Sequence, residues 1–176
     1  MITREEITEI DRAEFDELFE HSLPYMDQGT FNWTLLGSPE TTEEKCEKLY
    51  EHFQRALWPS SARGLIWREN GSPLSIAVGG VSTGDEKYIT WILSLYGPDA
   101  NGSRAYMHSQ EFVAANTAYL KNVLGLSGMR ISCIKESGMM NTHVNKTGGA
   151  DLFDITVEDT EPYKGVEFVR ITYTYK

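Results

Sequence analysis

Apolar residues recur along the chain with two different periods, and the changes between them mark the elements. Ile2 to Ile7 alternates apolar with polar positions, which predicts a short edge strand in spite of Glu5 and Glu6. Asp11 and Glu14 form a capping pair, and Phe15, Leu18, Phe19 and Ser22 follow at helical spacing up to Leu23-Pro24, predicting a helix over 12–22. Tyr25 to Gly37 is aromatic but aperiodic. Thr41-x-x-Glu44 repeats the capping signal after Ser38-Pro39, and Cys46, Leu49, Tyr50, Phe53 and Leu57 make one apolar stripe that ends at Trp58-Pro59. From Gly64 the period becomes that of strands. Leu65 to Arg68 runs into Asn70-Gly71, a hairpin turn whose two positions need positive φ, and Leu74 to Ser82 returns. A second tight turn at Gly84-Asp85-Glu86-Lys87 leads to Tyr88–Tyr96, completing an antiparallel meander of three strands.

After Tyr96 comes Gly-Pro-Asp-Ala-Asn-Gly102-Ser-Arg104, then a long helical pattern from Ser103 to about Leu124. Its expected buried stripe is Phe112, Val113, Asn116, Leu120, Val123 and Leu124, with Gly125 and Gly128 as the stop. A strand that passes through a glycine-bearing loop into a helix leaves N–H groups pointing out at the helix start, a seat suited to phosphate. Met129 to Ile134 is then a strand reached by a helical crossover, so it should lie parallel to the strand at Tyr88. Ser137 to Thr147 reads as a short helical segment. Asp151–Val157 and Val166–Tyr175 alternate as strands around the Pro162-Tyr163-Lys164-Gly165 turn.

Composition narrows the functional classes. The chain of 176 residues fits a single domain over 1–176, and its formal charge of −10 argues against nucleic acid and anionic membrane surfaces. No apolar run reaches the 18 or so residues of a membrane span, and no leader-like segment opens the chain, so a soluble, cytoplasmic protein is expected. Cys46 and Cys133 lack any metal spacing and read as buried reduced thiols. His21 and His52 have no partner at i, i+4, so no metal site is expected. No P-loop, dinucleotide fingerprint or nucleophile elbow occurs.

The element order β, α, α, β, β, β, α, β, α, β, β resembles that of the GNAT N-acetyltransferase superfamily over nearly the whole chain. The resemblance implies an α+β (α/β/α) fold: a mixed, mainly antiparallel six- to seven-stranded sheet with helices on both faces. It further implies acetyl-CoA as acyl donor, with the pantetheine between splayed parallel strands and the pyrophosphate on the loop after the fourth strand. Leu95, Tyr96, Gly97, Asn101, Gly102, Ser103, Arg104 and Ala105 then form the cofactor-binding set. The family loop reads Q/R-x-x-G-x-G/A; with Gly102 as its first glycine, Asp99 stands where Gln or Arg is expected and Arg104 where Gly or Ala is expected. Arg104 would supply a cation to the pyrophosphate, whereas Asp99 would repel it. The later signature N-x-x-A-x-x-x-Y places Ser137, Met140 and Val144 at its Asn, Ala and Tyr positions, and valine cannot donate a proton.

Tyr96, at the end of the fourth strand, is the candidate catalytic acid. No carboxylate or histidine lies in Trp91–Tyr96 to serve as base. His108 and His143 read as surface or capping residues, Asp85 and Glu86 as turn residues, and Trp67 and Trp91 as core. Two functions stand at this stage. One is acetyl transfer to a small-molecule or protein amine, helped by a polarising N–H on the fourth strand. The other is a domain that has lost turnover and serves a structural or interaction role, for example in a virus particle, as Asn141-Thr142 and Lys146-Thr147-Gly148-Gly149-Ala150 resemble the ending of small acetyltransferase-like virion proteins. Oligomeric state is not legible.

Overall fold

The structure is a computed structural model, and it describes residues 2–26, 39–97, 110–135, 152–163 and 165–176. Seven strands and three α-helices are present among these residues. They are β1 (Ile2–Ile7), α1 (Arg12–Ser22), α2 (Thr42–Leu57), β2 (Ala62–Glu69), β3 (Ser72–Val81), β4 (Tyr88–Tyr96), α3 (Gln110–Asn122), β5 (Gly128–Ile134), β6 (Phe153–Asp159) and β7 (Phe168–Tyr175). The strand order is β1-β2-β3-β4-β5-β7-β6. Among the described residues β4 and β5 pair in parallel, as the helical crossover requires, and β1–β2, β2–β3, β5–β7 and β6–β7 pair antiparallel. The expected mixed, mainly antiparallel sheet is therefore the one the chain adopts. By contact density the chain divides into two compact units, 1–80 with 92–103, and 81–91 with 104–176. β4 contributes residues to both.

In the first unit, local signals in the sequence set the helices. The Asp11 carboxylate accepts from the N–H groups of Ala13 and Glu14 at 2.9 and 3.1 Å, and the Thr41 hydroxyl accepts from the Glu44 N–H at 3.2 Å. α1 buries the stripe Phe15, Leu18, Phe19 and Ser22, and α2 buries Leu49, Phe53 and Leu57. These pack on Ile76 and Val78 of β3 and Ile92 and Leu95 of β4, around the edge-to-face pair Phe15 and Phe53 at 5.6 Å. Glu14 does not complete its capping box. Its carboxylate instead takes both Nη atoms of Arg68, Nη2 at 3.0 Å, tying α1 to β2 beside the register shift between Trp67 and Arg68. The hairpin turn is as expected, with positive φ at Asn70 and Gly71.

In the second unit, Ile89, Leu120 and Leu126 form one core and Cys133, Phe153, Val169, Ile171 and Tyr173 another. Two expectations fail. Val123 is 67% exposed instead of buried, because α3 closes at Asn122 and the Leu126 N–H reaches back to the Leu120 carbonyl at 3.0 Å; Leu124 and Leu126 turn inward in its place. Cys46 is only half-buried, because it borders the open seam between α1 and α2; Cys133 is buried as expected, and neither forms a disulfide. The segment Ser137–Thr147 and the first turns of the long helix lie outside the described residues.

Glu14→Gln should lower stability by about 1–2 kcal/mol in urea unfolding, since it leaves a guanidinium with 19% side-chain exposure with only Glu5, at 3.5 Å from its Nε, as a charged partner. An acid-side loss is expected from His52. Burial first, and Arg55 second, hold its imidazole below the ordinary value, and its Nε2 has no partner among the described residues. The unfolded chain takes up a proton that the folded chain refuses, so the stability contribution is present above pH ~6.5 and is lost as pH falls below it. His52→Gln should flatten that part of the stability curve; an unchanged slope from pH 7 to 5 would assign it to other groups.

Candidate functional site

The sequence places its site at the end of β4, and the structure shows what is unusual about that strand. Among the described residues the ladder from β4 to β5 covers Tyr88–Trp91 against Gly128–Ile131, although β4 continues to Tyr96. The register against β3 also changes along the strand. The Ser82 N–H donates to the Tyr88 carbonyl at 2.9 Å, and the Gly97 N–H to the Leu74 carbonyl at 2.7 Å. Between these two bonds the β3 side advances by eight residues and β4 by nine. One residue too many on one strand is a β-bulge.

Burial locates the bulge. Val78 and Ile76 of β3 both enter the first unit's core, and so do Ile92 and Leu95 opposite them. Ile92 and Leu95 are three residues apart and would point to opposite faces of a regular strand. The additional residue therefore falls at 93–94, between them. Beyond it the strand is held tightly. Gly97 approaches β3 so closely that a Cβ would overlap the Pro73 carbonyl oxygen and sit 3.1 Å from that of Leu74. The hydroxyl of Ser75, a fully buried residue, donates to the Leu95 carbonyl at 2.8 Å.

Of the predicted site residues, Leu95 and Gly97 are thus buried backbone anchors at the end of β4, and Tyr96 lies between them in the chain. Asn101, Gly102, Ser103, Arg104 and Ala105, with His108 and His143, lie outside the described residues. Trp67 is core, and Trp91 is partly buried against Ile89 and Leu120. The sequence reading missed Ser75; Asn116, expected in the buried stripe of α3, is buried there, and its Oδ1 has no partner among the described residues. A lone hydroxyl inside the apolar run Leu74–Val78 was the available signal for Ser75.

A separate cavity of about 420 Å³ lies between α1 and α2, lined by Arg12, Asp16, Phe19, Glu43, Cys46 and Glu47 among others. Four of its polar residues, Arg12, Asp16, Cys46 and Glu47, are occupied with one another. Arg12 pairs with Asp16 at 2.7 Å and Glu47 at 2.9 Å and lies over the Tyr50 ring at 4.6 Å. The Cys46 thiol donates to Asp16 at 3.3 Å; burial, then that hydrogen bond, push it up to about 11, so it is no nucleophile near neutrality. Among the described residues no group of His, Cys, Asp and Glu could hold a metal ion, and no helix is long and apolar enough to cross a membrane.

No protein-family profile matches the chain, and no curated protein sequence matches it either. Solved structures do match. A mutant form of the spermidine N-acetyltransferase SpeG from Vibrio cholerae aligns at a TM-score of 0.61 with 10% identity, over 99% of this chain and 93% of that one. An N-acetyltransferase from Staphylococcus aureus Mu50 aligns at 0.56 with 12% identity, over 99% and 97%. The PaiA N-acetyltransferase of Thermoplasma acidophilum, solved with coenzyme A, aligns at 0.54 with 10% identity, over 97% and 98%. At such identities the likeness is one of fold: the chain has the GNAT N-acetyltransferase fold.

Gly97→Ala should cost about 2 kcal/mol or more in stability, because the atoms its methyl would meet are backbone and cannot swing away. A variant that unfolds with the wild-type midpoint would show the β3–β4 contact to be looser than described.

Proposed function

We propose that the protein uses this fold to move an acetyl group from acetyl-CoA to a primary amine. The observation that supports the reading is the course of β4: among the described residues its ladder to β5 stops at Trp91, and the strand then bulges before Leu95. A strand edge released from its neighbour leaves backbone donors and acceptors for an extended, amide-bearing ligand such as pantetheine. A bulge re-aims a backbone N–H, which can then meet the charge that develops on an acyl oxygen.

In this reading the Tyr96 backbone, set between Leu95 and Gly97 that anchor it to β3, holds the pantetheine and the acyl carbonyl. Asn101, Gly102, Ser103, Arg104 and Ala105 hold the pyrophosphate, with Arg104 as the cation. Acetyl-CoA supplies an activated thioester. The amine nitrogen attacks the carbonyl carbon, the C–N bond forms and the C–S bond breaks. Tyr96 gives its phenolic proton to the departing thiolate, and the proton lost by the amine passes to water, from which Tyr96 is reprotonated. With no carboxylate or histidine on β4, rate enhancement rests on positioning and on the backbone N–H. The charge of −10 favours a cationic acceptor such as a polyamine or a lysine side chain, and SpeG of the same fold is a spermidine N-acetyltransferase. Asp99 and Val144 favour the second reading, a domain that keeps the fold without turnover.

Thermal unfolding with added CoA separates the two. Ligand at a hundred times its Kd adds about 2.7 kcal/mol, which for a chain of this length raises Tm by about 5–10 °C. No shift at millimolar CoA or acetyl-CoA would sink acyl transfer and leave the structural role. Where a shift appears, Arg104→Glu should weaken binding at least tenfold, and undiminished affinity would remove Arg104 from the site.

A further inference from the structure

The run Leu74-Ser75-Ile76-Ala77-Val78 crosses the first unit's core with a single hydroxyl in it, and that hydroxyl is fully buried. A buried hydroxyl is kept out of water without loss only when it is hydrogen-bonded, and Ser75 spends its proton on one acceptor, the Leu95 carbonyl, at 2.8 Å. That carbonyl lies at the first core residue after the bulge. It shares a planar trans peptide with the N–H of Tyr96, so the two point in opposite directions. Fixing the Leu95 oxygen on the β3 side fixes the Tyr96 N–H on the other side of β4. The next residue confirms the phase: the Gly97 N–H returns to β3 and bonds the Leu74 carbonyl at 2.7 Å. The Leu95–Tyr96 peptide is therefore gripped from both sides along the chain, by Ser75 before it and by Gly97 after it.

We infer that Ser75 is a positioning residue for acyl transfer: it orients the Leu95–Tyr96 peptide so that the Tyr96 N–H is the donor that meets the acyl oxygen. The inference rests on the acetyl-transfer reading and specifies its oxyanion donor. Ser75 touches neither donor nor acceptor and acts through the peptide it holds. A bulge leaves the strand locally short of ladder bonds, so its peptides can rock, and a donor displaced by about 1 Å loses much of its effect on a developing charge. The hydroxyl adds a side-chain restraint on that peptide from the neighbouring strand.

The test compares wild type, Ser75→Ala and Ser75→Thr for CoA-induced Tm shift, KM for acetyl-CoA, and kcat with an acetylatable amine found by screening. Ser75→Ala is nearly isosteric and should fold, keep the Tm shift, keep KM within about twofold, and lose about ten- to a hundredfold in kcat. Ser75→Thr, which restores the hydroxyl, should recover most of that loss. A kcat for Ser75→Ala equal to wild type, or an equal loss in both variants, overturns the role of Ser75 while acetyl transfer stands. A parallel rise in KM and fall in Tm would make Ser75 a packing residue only, and likewise overturns it. A wild type with neither a CoA shift nor turnover overturns the acetyl-transfer reading and this inference with it.

Discussion

An interior strand has backbone donors and acceptors on two edges, and every one of them must find a partner or meet water or a ligand. β4 meets that requirement differently along its length. From Tyr88 to Trp91 it is paired to β5 in parallel. Among the described residues that ladder ends at Trp91, an additional residue enters at 93–94, and Leu95 and Gly97 are secured to β3 by the Ser75 hydroxyl and by the Leu74 carbonyl. The same point in the chain is where β4 passes from one compact unit to the other, between Trp91 and Ile92. Three separate measures of the structure, ladder, register and contact density, change together within four residues. The acetyl transfer proposed above depends on how that short stretch of backbone is aimed.

The helices were legible because their signals are local. A capping carboxylate or hydroxyl and an apolar stripe lie within one or two turns of each other, and Asp11, Thr41 and the stripes they introduce behave as the spacing says. The Asn70-Gly71 turn and the parallel placing of β5 were legible for the same reason, through a φ requirement and a crossover length. The bulge was not. Trp91-Ile-Leu-Ser-Leu-Tyr96 is apolar at almost every position, and a run without alternation carries no phase, so a one-residue slip leaves no mark in it. Val123 misled because helical spacing was extended past the point where the backbone hydrogen bonds stop supporting it. Glu14 was legible as a capping residue, but its partner Arg68 lies 54 residues away, and nothing local announces that pairing.

The site's legibility has a related limit. Side-chain catalysts leave residue types in the sequence, whereas a backbone N–H is present at every position except proline. If the fold acts as proposed, by positioning a peptide, its chemistry is hidden in restraints such as Ser75 and Gly97, whose residue types are common and which differ from others only in what lies 2.7 to 2.8 Å away. The polar groups that do stand out in the first unit, Arg12, Asp16, Cys46 and Glu47, are engaged with one another.

The additional residue in β4 also sets which kinds of change the chain can absorb over time. Substitution at 93 or 94 alters one side chain, but deletion of either would turn every later position of the strand to the other face, expelling Leu95 from the core and pulling Gly97 out of register with Leu74. Length at this point is under a stricter constraint than composition. Relatives at great sequence distance should then be recognisable less by shared letters than by the absence of insertions and deletions between the two ends of this one strand.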